Sequence, residues 1–395
     1  MSQDHPESLF PPEDVAFVHW SELDEPRSAR WRSLASVPAP KRVQLADDTL
    51  SADAAYRLVC EGTALLWQGD YHQARQMLQA LARRIDRRVQ RRPRTAAPTG
   101  ITQVYRQHRQ AQADRARALG LLLLRFDAEH GIPLRRAPDV REACLQAHGP
   151  VSEPYVASLR ELQGLIGAHE WRKKGVVVAA LGETIHPHHG VFSPVRGEYV
   201  DLVCEAPLPE ALGPDGVAWD IGAGTGVLSV VLARRGIRQV LATELAPRAL
   251  ACARDNLQRL GLMERVTLVQ ADLFPAGRSA LIVCNPPWLP GQPSSAVEQA
   301  IYDPDSRMLR GFLAGLAAHL APGGEGWLIL SDLAERLGLR SREQLMGWVA
   351  SAGLSVAGRL DARPRHGKAQ DASDPLHEAR SGEVTSLWRL VVKGH

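Results

Sequence analysis

Cysteine is scarce and scattered: Cys60, Cys144, Cys204, Cys252 and Cys284 stand singly in 395 residues, with no C-x-x-C pair. That spacing excludes a disulfide framework and offers no zinc signature. Long hydrophobic runs are missing as well. The apolar stretch 118–124 is far shorter than the roughly 20 residues that a bilayer span needs. The opening residues Met1 to Glu7 lack the basic patch and apolar run of a signal peptide, so a cytoplasmic protein without a membrane partner is expected. No charge of one sign dominates, since 47 Lys and Arg face 44 Asp and Glu for a net +3. That balance permits a nucleic-acid partner without demanding one.

A chain of this length calls for more than one core. Residues 1–150 read as a mainly helical domain for substrate recognition or as a lid. Pro6, Pro11, Pro12, Pro38 and Pro40 interrupt its start. Between Ala52 and Arg92, Leu58, Leu65, Leu66, Ala74, Leu78 and Leu81 recur at helical spacing, and Gly69-Asp70 marks a break between two helices. A further helix is expected from Gln103 to Glu129. The second helix carries Arg83, Arg84, Arg87, Arg88, Arg91 and Arg92. Such a run is either a solvated face or a phosphate-contacting stripe, with Arg84, Arg88 and Arg92 as the candidate contacts. No aromatic residues alternate with these arginines, which argues against single-strand binding by stacking.

The pattern changes after Pro150. Residues 151–210 read as a linker and a β-hairpin, with 175–181 as one arm and 185–192 as the return. From 211 onward apolar strands alternate with amphipathic helices. Strands are expected at 217–221, 239–243, 267–270, 280–284, 326–331, 355–360 and 384–392, and helices at 227–235 and 247–260. That alternation builds a parallel sheet covered on both faces. Residues 361–383 are charged and punctuated by Pro364, Gly367, Pro375 and Gly382, so a loop, or a lid facing substrate, is expected there.

The first of these strands runs into Asp220-Ile221-Gly222-Ala223-Gly224-Thr225-Gly226, and a helix follows at once. Glycines at such a turn let backbone approach a ligand. Dinucleotide-binding domains share the device, but three details favour S-adenosylmethionine. Val227 stands where the dinucleotide fingerprint places its last glycine. Asp220 would repel a pyrophosphate and suits a ligand bearing an ammonium and a sulfonium. Asp272, followed by Leu273, ends the third strand where a carboxylate can accept from an adenine amine. Glu244, at the end of the second strand, can take ribose hydroxyls. Each carboxylate alone reads equally well as a helix or turn cap. Together, at the carboxyl ends of consecutive strands, they read as a cofactor site.

The fourth strand ends in Asn285-Pro286-Pro287-Trp288. An sp² nitrogen delocalises its lone pair and is a poor nucleophile. The Asn285 oxygen and the Pro286 carbonyl can hold its two N–H groups, and Trp288 can stack on the planar group that carries it. An ordinary Pro-Pro turn is the alternative reading. The tetrapeptide resembles the hallmark of class I methyltransferases that modify amide or amino nitrogens, a group including the glutamine methyltransferases of release factors and the base methyltransferases of RNA and DNA. Trp288 stands where the release-factor enzymes have tyrosine. The resemblance covers 175–395 and includes Gly190 to Pro194 with Arg196, placed where related enzymes line the cofactor with a residue such as Phe192. It implies an α/β, Rossmann-like sheet, mostly parallel with an antiparallel last strand, preceded by a mainly helical domain. It also implies an S-adenosylmethionine-dependent N-methyltransferase acting on a macromolecule, whether a protein glutamine or an RNA or DNA base amine.

Three other readings stay open: a small-molecule methyltransferase, a non-catalytic adaptor that binds the same cofactor, and a nicotinamide-dependent oxidoreductase. His186-Pro187-His188-His189 looks like a metal cluster, but Pro187 and local crowding argue against a shared ion, so no metal is expected.

Overall fold

A computed structural model describes residues 16–91, 100–293, 297–364 and 371–394. They divide into two compact units, the first holding 16–91 with 106–170 and the second 171–394 with 100–105. Among the described residues no helix is long and apolar enough to cross a membrane.

In chain order the first part of the chain forms β1 (Ala16–Glu22), β2 (Glu25–Trp31), β3 (Arg42–Ala46), α1 (Ala52–Cys60), β4 (Thr63–Trp67), α2 (Tyr71–Arg91), α3 (Ile101–Leu119), β5 (Leu122–Phe126), α4 (Arg141–His148), β6 (Tyr155–Ser158) and α5 (Leu159–Lys174). Helical residues outnumber strand residues here, but the helices cover a six-stranded sheet of order β1-β2-β6-β5-β4-β3 that the sequence pattern did not reveal. The expected helix pair across 52–92 is corrected: α1 and α2 are separated by β4, and Leu65 and Leu66 are strand residues. The expected helix 103–129 likewise stops at Leu119 and is followed by β5. The physical reason lies in burial on both faces. Leu65, Trp67, Leu122, Leu124 and Phe126 enter one core, while Ala64, Leu66 and Leu123 enter another on the opposite side. Such strands are short continuous apolar runs, which periodicity cannot tell from a buried helix.

The second part continues with β7 (Val176–Val178), β8 (Glu183–Ile185), α6 (Glu198–Glu205), β9 (Val217–Ile221), α7 (Val227–Arg234), β10 (Gln239–Glu244), α8 (Pro247–Arg259), β11 (Val266–Gln270), β12 (Ser279–Cys284), α9 (Arg307–His319), β13 (Leu320–Ser331), α10 (Leu333–Arg336), α11 (Arg342–Ser351), β14 (Leu354–Ala362), α12 (His377–Ser381) and β15 (Thr385–Val392). The seven-stranded sheet has the order β11-β10-β9-β12-β13-β15-β14. Pairings from β11 through β13 are parallel, and β15 is antiparallel to both of its neighbours. Its central strands are apolar on both faces, as a sheet covered by helices requires.

Two smaller expectations change. The hairpin return is only β8; residues 186–192 leave it, and Val191 packs on Ala249 and Cys252 of α8. The expected loop 361–383 contains α12, whose Ala379, with Leu376 just before it, is buried beside Leu333 and Leu337. Its stretch 365–370 lies outside the described residues, as do the prolines at 6, 11 and 12 and Arg92.

One packing feature fixes the turn after β11. Phe274 stacks between Phe312 (5.7 Å between ring centroids) and His319 (4.6 Å). Its ring presses on Gly315 of α9, where an added Cβ would lie 2.6 Å from Phe274 Cε2. Gly315→Ala gains helix propensity of about 1 kcal/mol, but overpacking of a wedged ring costs about 1–3 kcal/mol. A net loss is expected, read as a lower urea midpoint at unchanged slope. A higher midpoint would show that the turn is free to give way.

Candidate active site

Register brings the sequence-derived residues to one edge. In the parallel ladders Ile221 lies beside Thr243 on β10 and Cys284 on β12, and Glu244 lies beside Gln270 on β11. The four strands therefore end at nearly one level. The segment from Gly222, Glu244, the Asp272-Leu273 pair and Asn285 all leave the sheet there.

Asp220 sits one step inside that edge, between Ala242 and Val283, and is 1% exposed. Its carboxylate accepts a 2.5 Å hydrogen bond from the Ser229 hydroxyl of α7. Burial, helped by the nearby Glu244 charge, pushes its pKa up to about 6 against the opposing pull of Ser229. The turn that follows is fixed by backbone geometry. The N–H groups of Gly222 and Ala223 both donate to Thr243 O at 2.9 Å. Gly222 and Gly226 adopt φ of +77° and +80°, and Cβ atoms there would lie 2.6 Å from Met308 Cε and 3.3 Å from Ala253 Cβ. Only glycine satisfies both the dihedral and the space. Gly224, at φ +56°, donates its N–H to Glu244 Oε2 at 3.0 Å. Ala246 N–H binds the other Glu244 oxygen, also at 3.0 Å. Both carboxylate oxygens keep lone pairs for further donors.

The adenine end is looser. Asp272 is largely exposed and takes part in a 3.0 Å ion pair with Arg307. Leu273 holds φ +70°, and its carbonyl accepts from the Thr243 hydroxyl at 2.6 Å. Phe192 is partly exposed, next to the buried Val191.

At the end of β12, Asn285 and Trp288 are part-buried and Pro286 is buried. The Trp288 indole N–H donates to Asn285 Oδ1 at 2.8 Å. The Arg196 guanidinium lies 5.3 Å from the centre of the Trp288 ring. Trp288 is thus packed and hydrogen-bonded within the chain as well as flat.

Among the buried carboxylates of this unit that sequence reasoning passed over are Glu198 and Glu383. Glu198, in the first turn of α6, is 3% exposed; burial and the charges of Asp220 and Glu198 raise the neighbouring Tyr199 hydroxyl above its ordinary value. Glu383, fully buried, receives Arg196 at 2.8 and 3.0 Å. Glu198 follows Arg196-Gly197 and looked like an ordinary helix-start acid. Glu383 looked like part of a charged loop, though its place just before an apolar run was a usable signal.

The histidines do not converge. His186 Nδ1 meets the Arg172 carbonyl at 2.7 Å, His188 Nε2 meets Asp255 at 2.8 Å, and His189 Nδ1 meets Arg248 at 3.3 Å. In the first unit, Arg84 pairs with Asp53 at 2.8 Å and Arg88 lies 3.4 Å from the Tyr56 hydroxyl.

Against known proteins, residues 182–336 match the family described as the methyltransferase small domain. A tRNA1(Val) (adenine(37)-N6)-methyltransferase from Shewanella loihica is 30% identical over 216 residues, covering 51% of this chain and 84% of that protein. The chain belongs to the class I methyltransferases. A release factor glutamine methyltransferase from Cereibacter sphaeroides is 34% identical over 178 residues, and this methyltransferase spans 41% of its own length and 60% of the relative's in that match. A solved methyltransferase from Pyrococcus furiosus aligns with 58% of this chain and 98% of its own at 19% identity and a TM-score of 0.39.

The raised pKa of Asp220 generates a prediction. The folded methyltransferase holds the Asp220 proton more tightly than the unfolded chain does. Its stabilising contribution is full below the ordinary value of 3.8 and is lost as pH rises through about 6. A bound cation reverses the preference. Affinity for S-adenosylmethionine should therefore fall as pH drops below 6. Asp220→Asn should leave the ligand-free melting temperature at pH 7.5 unchanged or higher while weakening that affinity at least tenfold, and calorimetry at pH 7.5 and 5 checks both. An affinity flat with pH and equal in the variant would remove Asp220 from the site.

Proposed function

We propose that this chain is an S-adenosylmethionine-dependent N-methyltransferase acting on a planar amide or amino nitrogen of a macromolecule. The carrying observation is Asn285 at the carboxyl end of β12, its amide oxygen turned toward Trp288, on the same edge as Asp220 and Glu244.

The donor set fits the cofactor. Asp220, with Glu244 nearby, offers buried negative charge to an ammonium and a sulfonium. Glu244 offers oxygens to the ribose hydroxyls, and the backbone of Gly222, Gly224 and Gly226 allows close approach. Asp272 and Leu273 would border the adenine, with Phe192 as its cover. When bound, S-adenosylmethionine supplies a methyl group on a positively charged sulfur that leaves as a neutral thioether.

The chain's own residues prepare the acceptor. Asn285 Oδ1 and the Pro286 carbonyl accept its N–H groups and align its lone pair with the methyl. Positive charge grows on that nitrogen in the transition state, and two oxygen dipoles already in place stabilise it without reorganising. Trp288 and Pro287 shape the slot around the planar group. Because the two oxygens meet the rising positive charge, the residues do not need to remove a proton before transfer. The names of the two relatives give acceptors of the same kind, a glutamine amide and an adenine amine. A macromolecular acceptor is the reading they favour here.

Asn285→Ala should leave S-adenosylmethionine affinity within about threefold and lower turnover about 10²–10³-fold, the usual cost of one preorganised group. Unchanged turnover would sink the amine clamp, and a wild-type chain that binds the cofactor but methylates nothing would be an adaptor. The acceptor is found by incubating the chain with labelled S-adenosylmethionine and a lysate freed of small molecules. Protease-released label means protein, and nuclease-released label means RNA or DNA. Transfer of label only after the small-molecule fraction is added back would overturn the macromolecular reading.

If the acceptor is nucleic acid, Arg84, Arg88 and Arg92 are its proposed phosphate contacts. Neutralising all three should weaken binding and flatten the salt dependence by about 0.9 in logarithmic slope per lost contact. An unchanged slope would make this helix a solvated face.

A further inference from the structure

We infer that Arg196 and Glu383 are positioning residues for methyl transfer: they hold Trp288, and Trp288 holds the Asn285 amide with its oxygen in the working orientation. The inference rests on the proposed role of Asn285 and adds to it the groups that set its geometry.

The argument starts from a property of indole. Its N–H donates and cannot accept. The end of the Asn285 amide that faces Trp288 Nε1 at 2.8 Å must therefore be the oxygen. An amide without that partner can turn over, placing an NH₂ where the acceptor also presents N–H. Two donors would then face each other and the clamp would fail. The Asn285 oxygen has two lone pairs; the indole uses one, and the other remains for the acceptor. A tyrosine hydroxyl can donate or accept and would not impose this choice. Tryptophan at position 288 thus makes a hydrogen-bonding difference as well as a difference in ring size.

The ring itself is fastened. The Arg196 guanidinium lies 5.3 Å from its centre, within range of a cation–π contact. Arg196 reaches there from the segment before α6 and is held by a bidentate pair with Glu383 at 2.8 and 3.0 Å. Glu383 is fully buried and also accepts from the Ser331 hydroxyl at 2.5 Å. Its position follows from topology. β15 is antiparallel and begins at Thr385 beside Ser331, so the residues just before it lie at the carboxyl end of β13. The methyltransferase sheet therefore brings a buried anion from its last connection to the edge where the fourth strand delivers Asn285. A bidentate pair fixes direction as well as charge, which suits a group that must hold a ring in one plane.

The test uses the full chain with Trp288→Phe, Arg196→Lys and Glu383→Gln. Trp288→Phe keeps a flat ring, smaller than indole, and loses the donor. It should bind S-adenosylmethionine within about threefold of wild type and leave the acceptor KM within about threefold. Its kcat should fall at least tenfold. The second arm needs no substrate. In ¹⁵N-labelled protein, the Trp288 indole N–H resonance is assigned by its absence in Trp288→Phe. It should be protected from solvent exchange in wild type, and shifted with at least tenfold faster exchange in Arg196→Lys and Glu383→Gln. Arg196→Lys, which keeps the charge, covers the case in which Glu383→Gln fails to fold. A Trp288→Phe kcat within twofold of wild type would overturn the inference, as would an indole resonance unmoved in Arg196→Lys. A chain that methylates no acceptor would defeat the proposed function while the resonance still tests the relay.

Discussion

The second unit is organised around one expensive group. Asp220 places a carboxylate inside the sheet, between Ala242 and Val283, where water cannot solvate it. Burial of an ionised carboxylate without a partner costs free energy, and the Ser229 hydroxyl offsets only part of that cost. Much of what surrounds it follows from this constraint. The turn after Asp220 folds back on Thr243 through paired N–H groups, and its glycines leave a gap that any Cβ would fill. Glu244 adds negative charge where a purely structural site would add an arginine. On the proposed reading, such a site stays unbalanced until a cationic ligand arrives.

The same edge handles the opposite electrostatic problem a strand away. In the proposed reaction the charge to be stabilised there is absent in the ground state and appears only as a nitrogen gains a methyl group. A carboxylate would bind a cationic product tightly, whereas neutral oxygens favour the developing charge without holding the product. Asn285 and Pro286 supply neutral oxygens. What neutral dipoles lack in strength they recover through fixed direction, which is why the support behind Trp288 bears on chemistry as well as on packing.

The catalytic half was readable because its strands are buried on both faces and its turns carry rare residues in fixed order. Val217–Ile221 was read to the residue and β12 to within one, and register then placed Asp220, Glu244, Asp272 and Asn285 together. The first half misled for the same reason the second was clear. Thr63–Trp67 and Leu122–Phe126 are continuous apolar runs too, but no glycine-rich turn follows them, and their leucines fit a helical spacing carried over from the neighbouring helices α1, α2 and α3. Arg196 and Glu383 show a different limit. A pair 187 residues apart has no local signature, and each half reads alone as surface charge. Trp288 was read as a stacking ring because its shape is visible in the sequence, while the partner of its N–H is not.

Comparison of the two sheets sharpens the meaning of the Asp220 charge. In the first unit, Asp70 follows β4 at the carboxyl end of parallel strands and its side chain is as buried as that of Asp220. Arg136 and Arg135 reach it at 2.6 and 3.1 Å, and His72 N–H adds a third bond. The Arg136 hydrogen bond, helped by those of His72 and Arg135, drives its pKa well below the usual carboxylate range in spite of burial. One buried aspartate is thus lowered by its own chain, and the other is raised. The fold is able to neutralise a carboxylate at a strand end with local arginines, and at Asp220 it places a serine and another carboxylate instead. A charge left unbalanced beside a glycine turn, in a chain that balances its counterpart, supports the proposal that a ligand brings the missing positive charge.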